Sequence, residues 1–194
     1  MTDLLIYGAP DTSPDLFHAI PVGIIALLQF SSHFAQGSAS APIPVRLRGG
    51  DIVIVAAALN RFPFSVVTQR EIRKPADLVG KKIGILNFGG SNDLAITLAF
   101  KEWNIPRQAV TIFPAGDSAA RIVALSAKAI DATMLSYPDI NEALRLGMHE
   151  LVKMPDVKGT SFPMNVMVAR RSFFEKNRDT VKRFQQAYAE VEGK

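Results

Sequence analysis

Between Lys81 and Met154 the apolar residues alternate between short continuous runs and stretches with helical spacing. A run over 82–87 predicts a buried strand behind Lys81 and Lys82. It breaks at Gly89-Gly90, and Leu94, Ile96, Leu98, Ala99 and Trp103 then predict a helix near 92–103 that stops before Pro106. A second strand, Val110 to Phe113, meets Pro114-Ala115-Gly116. Asp117-Ser118 is the start signal of a helix running to Lys128. A third strand, Ile130 to Leu135, ends at Ser136-Tyr137-Pro138 and leads to a helix to Leu146, with Gly147 as its C-terminal stop. Glu150 to Met154 completes the order βαβαβαβ, which predicts parallel pairing with helices packed on the sheet.

Two strands precede this block, Asp51 to Leu59 and Phe64 to Arg70, with Asn60-Arg61-Phe62-Pro63 as the tip between them. After it, Ser161 to Ala169 is a β-rich run. Helices follow from Arg171, broken at Asn177-Arg178-Asp179, and 180–191 carries one apolar face for packing. A sparse internal echo links the two ends of the chain. Ile25-Ala26-Leu27, then His33-Phe34-Ala35 and Ser38, repeats at the same offsets as Val123-Ala124-Leu125, then Asp131-Ala132-Thr133 and Ser136. Each half reads as a helix feeding a strand with a serine at its carboxyl end.

Composition narrows the functional classes. With 194 residues, 48% hydrophobic and 21% charged, the chain is an ordinary globule of one domain or two small ones. The net charge of +4 is mild, and the basic residues at 170–183 share a helix with glutamates, which argues for a solvated face and against nucleic acid. The absence of cysteine excludes disulfides, thiolate metal sites and cysteine nucleophiles. His18, His33 and His149 lack ligand spacing, so no metal or other cofactor is expected. The apolar run from Ala19 to Phe30 lacks a basic lead-in and is too short to span a bilayer; it reads as core, with no signal peptide visible.

The strand–glycine turn–helix start at 82–92 is the arrangement that aims free backbone N–H groups and a positive dipole end at an anion. Gly84, Gly89 and Ser91 nearly match a nucleotide phosphate loop, but Gly90 stands where that motif needs lysine. A small acid group fits such a turn better than a triphosphate. Gly89, Gly90, Ser91 and Asn92 are therefore candidate ligand contacts, with helix capping by Ser91 or Asn92 as the alternative role. Ser38 and Ser40 at one strand end, and Ser136 and Tyr137 at the other, are candidates that could equally be turn residues. Asn60 is a candidate at its tip, with Arg61 beside it as a partner for a carboxylate or sulfonate or as a solvated cation. Asp117 and Ser118 read as a cap, His149 as a surface residue and Trp103 as core. No catalytic constellation is visible.

Several segments in combination resemble one family. They are Phe34-Ala35-Gln36-Gly37-Ser38, the stretch 74–84 (KPADLVGKKIG), Phe88-Gly89-Gly90-Ser91, Ala129-Ile130-Asp131-Ala132 and the tail from Val168 to Phe184. Together they are similar to the nitrate/sulfonate/taurine type of ABC-transporter substrate-binding proteins. The resemblance implies an α/β, two-lobed, periplasmic-binding-protein-like (type II) architecture with mixed sheets flanked by helices. It places the first lobe at 1–75 plus 160–194 and the second at 76–159, hinged near 70–75 and 160–163. It also implies a non-enzymatic periplasmic binder that captures a small sulfonate-, nitrate- or carboxylate-like molecule and delivers it to an ABC permease in the membrane. Against the family pattern the chain reads as incomplete at both ends, with His33 where an aspartate is usual. A missing first βα unit would favour a homodimer. Two other functions share the architecture: a thiamine pyrimidine-precursor synthase, which carries a cysteine-rich motif lacking here, and the ligand-sensing domain of a regulator.

Overall fold

The computed structural model describes residues 32–192. Asp3 to Gly8, the apolar run to Phe30 and the Ile25-Ala26-Leu27 half of the internal echo lie outside the described residues. Contacts divide the chain into one unit of residues 61–162 and a second formed by the segments on either side of it. The resemblance implies lobe boundaries near 75/76 and 159/160, whereas these units change over at 60/61 and 162/163, because the strand at 65–68 pairs inside the central unit.

The unit 61–162 is built on a five-stranded sheet. Its strands are β3 (Ser65–Thr68), β4 (Lys82–Ile85), β5 (Thr111–Pro114), β6 (Ala132–Leu135) and β7 (His149–Lys153), in the spatial order β5-β4-β6-β3-β7. β4 pairs in parallel with β5 (Ile83 opposite Ile112) and with β6 (Gly84 opposite Thr133). The all-parallel expectation fails at the fourth strand of the block. β3 inserts antiparallel between β6 and β7, so β7 never meets the parallel set. The composition of β3 and β6 explains their central places: every residue of SVVT and ATML is buried, as in strands covered on both faces.

The helices of this unit are α2 (Ser91–Glu102), α3 (Ser118–Ser126) and α4 (Asp139–Arg145). Val67 and Leu135 of the sheet pack with Ile122, Leu125, Ile130, Ile140 and Ala143 in one buried cluster, to which Phe113, Ala124 and Met148 add. Ala95, Ile96, Ala99 and Phe100 of α2 are likewise buried. Gly84 has a packing role: a Cβ there would stand 2.9 Å from Ala115 Cβ and 2.9 Å from Ile130 Cδ1.

In the other unit β1 (Phe34–Gly37), β8 (Ser161–Ala169) and β2 (Val53–Arg61) form a sheet in the order β1-β8-β2. β1 runs antiparallel to β8, with Phe34 opposite Ala169 and Gly37 opposite Val166. The remaining helices are α1 (Pro42–Leu47), α5 (Arg171–Lys176) and α6 (Arg178–Glu192). Phe34 stacks on Phe184 at 4.2 Å, and His33 lies 4.4 Å from the Phe173 ring, so aromatic packing joins β1 to both C-terminal helices. Both β2 and β8 run through the change of unit. Just inside the unit 61–162, Phe62 and Phe162 stack at 5.1 Å with nearly parallel rings. Phe62 is fully buried in this stack.

Candidate functional site

Because β5, β4 and β6 run in parallel, the turns that follow them leave the sheet at one edge. Open α/β sheets bind ligands at such carboxyl edges. Here the edge carries the turn 86–90 before α2, the turn 115–117 before α3, and Ser136-Tyr137-Pro138 before α4.

The first turn has the most open chemistry. Gly89 takes φ +72°, which favours glycine, and Gly90 is the extended N-cap of α2 (φ −80°, ψ 179°). No side chain caps this helix, so the capping role open to Ser91 and Asn92 is not the one they have. Instead the Asp93 carboxylate reaches back to accept the Gly89 N–H at 2.8 Å and is paired on its other oxygen with the Arg107 guanidinium. Arg107 also donates to Thr97 Oγ1 at 2.6 Å, and that hydroxyl donates to the Asp93 carbonyl at 2.7 Å. The first helical bond is from Leu94 N–H to Gly90 O at 3.0 Å. The backbone N–H groups of Gly90, Ser91 and Asn92 have no partner among the described residues. These are the orphan donors of a helix start, and they lie at its positive end.

Asn92 adds a second free group. The residue is only 6% exposed, yet its side chain makes no hydrogen bond, and its amide atoms keep some access to solvent. The carboxamide is therefore open to water or to a ligand that can replace it. Exposed apolar residues stand in the turns of this edge: Leu86 (49% exposed) and Phe88 (51%) in the same turn as the open amides, and Tyr137 (59%) after β6. Ser136 is half-buried, and its carbonyl accepts the Ile140 N–H at 3.2 Å.

The second turn is closed by Arg121, a residue that sequence reading passed over. Asp117 caps α3 as expected, accepting the Ala120 N–H at 2.9 Å. Arg121, 4% exposed, donates to the carbonyls of Gly116 (3.1 Å) and Asp117 (3.2 Å), to Thr133 Oγ1 and Ser118 Oγ (3.2 Å each), and to the Met134 carbonyl. Burial lowers its pKa from the usual guanidinium value, while the charges of Asp139 and Asp117 oppose that shift. It makes no ion pair within 4.0 Å among the described residues. The visible signal in the sequence was a cation four residues before Leu125, on an apolar helical stripe.

The structure brings Gly89, Gly90, Ser91, Asn92, Ser136 and Tyr137 to the one edge of the unit 61–162. Ser38, Ser40 and Asn60 belong to the other unit. Ser38 follows β1 as Ser136 follows β6, so the echo does mark two four-residue strands ending at serines. Ser40 Oγ lies 3.0 Å from Ser38 Oγ, and the Ser40 N–H donates to that same hydroxyl at 3.3 Å, in a turn leading into α1. Asn60 is not at a tip between strands; it lies inside β2, exposed, because that strand continues to Arg61. Among the described residues no three His, Asp or Glu side chains gather as a metal site, and no helix is long and apolar enough to cross a membrane.

Residues 32–191 match the model of the NMT1/THI5-like family. The taurine-binding periplasmic protein of Escherichia coli (strain K12) is 26% identical over 175 residues, 90% of this chain and 52% of that protein. Among solved structures, the periplasmic aliphatic sulphonate binding protein of Escherichia coli superimposes with a TM-score of 0.75 at 20% identity, covering 87% of this chain and 58% of that one. The alkanesulfonate-binding protein of Xanthomonas axonopodis pv. citri, bound to MOPS, gives 0.65 at 18% identity, covering 82% and 55%. The structural matches establish a type II periplasmic-binding-protein fold. This chain spans about half the length of the curated relative and little more of the two structures. The chain belongs to the NMT1/THI5-like family.

Proposed function

We propose that this family member serves as the solute-binding component of an ABC importer, without covalent chemistry, and that its solute is a small organic anion. The acid head, sulfonate by preference, takes the free N–H groups of Gly90, Ser91 and Asn92 together with the Asn92 carboxamide. The apolar part lies against Leu86, Phe88 and Tyr137, and Ser136 offers its hydroxyl. Ser38, Ser40 and Asn60 remain candidate ligand contacts within the unit that holds them. A membrane permease is the partner, and the periplasm the place of action.

The observation that carries the proposal is the unpartnered, nearly buried Asn92 beside three free helix-start amides. Donors left open in this way favour an anion over a cation or a neutral apolar molecule. The relatives' names agree with it: one is called taurine-binding, the others sulphonate-binding.

A thermal-shift series with ethanesulfonate, taurine, nitrate and, as the uncharged control, 1-propanol tests the reading. A ligand at a hundred times its dissociation constant stabilises the native state by about 2.7 kcal/mol. The expected result is a saturable rise with ethanesulfonate or taurine and none with the alcohol. A cooperative melt unmoved by all the acids would contradict it.

A further inference from the structure

We propose that Asp93 and Arg107 form a charge-neutral brace that sets the anion affinity of the turn before α2; this rests on the anion-binding reading above. Asp93 occupies the third position of that twelve-residue helix. Its carboxylate is bonded to Gly89 N–H at 2.8 Å, so a full negative charge sits on the very turn whose next three amides are open. Gly89 makes this bond at φ +72°, immediately before the open amides. Left alone, the same charge would repel any acid head arriving there.

Arg107 removes that repulsion. Its guanidinium pairs with Asp93, with the carboxylate side chain only 15% exposed and the arginine 37%. Thr97 holds both ends, accepting from Arg107 at 2.6 Å and donating to the Asp93 carbonyl at 2.7 Å. Arg107 is itself placed by the short 3-10 turn Arg107–Ala109, whose Ala109 carbonyl accepts the Gly80 N–H at 2.7 Å. It also lines a surface hollow with Phe88, Gln108, Val110 and Ile112. A partly exposed ion pair adds little to stability. Its use here is to let a carboxylate shape an anion site without opposing the anion. Asp93 and Arg107 are thus positioning residues, touching the turn and not the solute.

The test is calorimetric titration of the full chain with ethanesulfonate at low salt, in the parent, Arg107→Met, Asp93→Asn and the double variant. A unit charge about 6 Å from the ligand at an intermediate effective dielectric changes affinity by about tenfold. Arg107→Met is expected to weaken binding about tenfold, and the gap to shrink in high salt because the effect is coulombic. Asp93→Asn keeps an acceptor for Gly89 without the charge, so the double variant is expected to return to within about threefold of the parent. Arg107→Lys, the gentler change, is expected to stay within about threefold as well. Equal affinity in the parent and Arg107→Met, or a double variant weaker than Arg107→Met, would overturn the brace while leaving the anion site standing. A parent that binds no sulfonate would overturn the site itself, and the brace with it.

Discussion

Replacing Arg121 by methionine should destabilise the unit 61–162 far more than a helical arginine ordinarily would. Arg121 is 4% exposed, and its guanidinium bonds three main-chain carbonyls and two hydroxyls. Methionine fills much of the stem volume but donates nothing. Thr133 keeps its bond to Gly84 O at 2.8 Å, and the exposed Gly116 and Asp117 carbonyls can turn to water. The Met134 carbonyl cannot, because that residue is fully buried in β6. Losing a bond between a charged donor and a buried acceptor, and leaving the acceptor bare, costs about 3–5 kcal/mol together. Relief of the guanidinium's desolvation returns part of this, so the net loss is about 3 kcal/mol. With a urea dependence of about 1–1.5 kcal/mol/M for a unit of this size, the midpoint falls by about 2–3 M. The chain's single tryptophan, Trp103, lies in the same unit and reports the transition by fluorescence. Arg121→Lys should recover less than half, since an ammonium cannot span the same acceptors. A midpoint lowered by less than about 0.5 M would refute the reasoning, by showing that water reaches the Met134 carbonyl.

Two further outcomes follow from the geometry. Gly90→Ala places its Cβ 2.2 Å from the Oδ1 of exposed Asn87, which can swing aside, so stability should change by less than about 1 kcal/mol. The methyl group and the displaced Asn87 would crowd the open amides, and titration should show ethanesulfonate affinity falling at least tenfold, by about 1.4 kcal/mol or more. Asp77 accepts the backbone N–H groups of Arg73 and Lys74 at 3.0 and 3.1 Å, and the Arg73 bond leads in holding its carboxyl below the ordinary value of 3.8. A depressed carboxyl contributes stability that is present above its unfolded pKa and lost as pH falls through the folded one. The melting temperatures of the parent and Asp77→Asn should therefore differ at neutral pH, and the gap should begin to close only as pH falls below 3.8; a gap unchanged by strong acid would contradict this.

The order of elements from Lys81 to Met154 was legible because it depends on local pattern: apolar runs, proline stops, and a cap such as Asp117. What escaped is non-local. β3 reads as a strand in the sequence, but nothing in SVVT says that it will insert between β6 and β7, since that choice is made by pairings to residues far along the chain. The Gly89–Asn92 turn was found from its glycines and the helix after it. Its brace was not, because Asp93 and Arg107 lie fourteen positions apart and neither is unusual where it stands. Arg121 was overlooked as one more helical cation, although its place on the stripe of Leu125 marked it. Asn60 was misplaced because Pro63, taken as part of a loop, lies beyond a strand that runs on to Arg61.

The most direct test of the central claim is a titration of isotope-labelled chain with ethanesulfonate, following backbone amide resonances. The account predicts saturable shifts concentrated at Gly90, Ser91 and Asn92, with smaller ones at Ser136 and Tyr137, and loss of all of them in Gly90→Ala. Shifts centred on any other part of the chain, or none at concentrations well above millimolar, would contradict it.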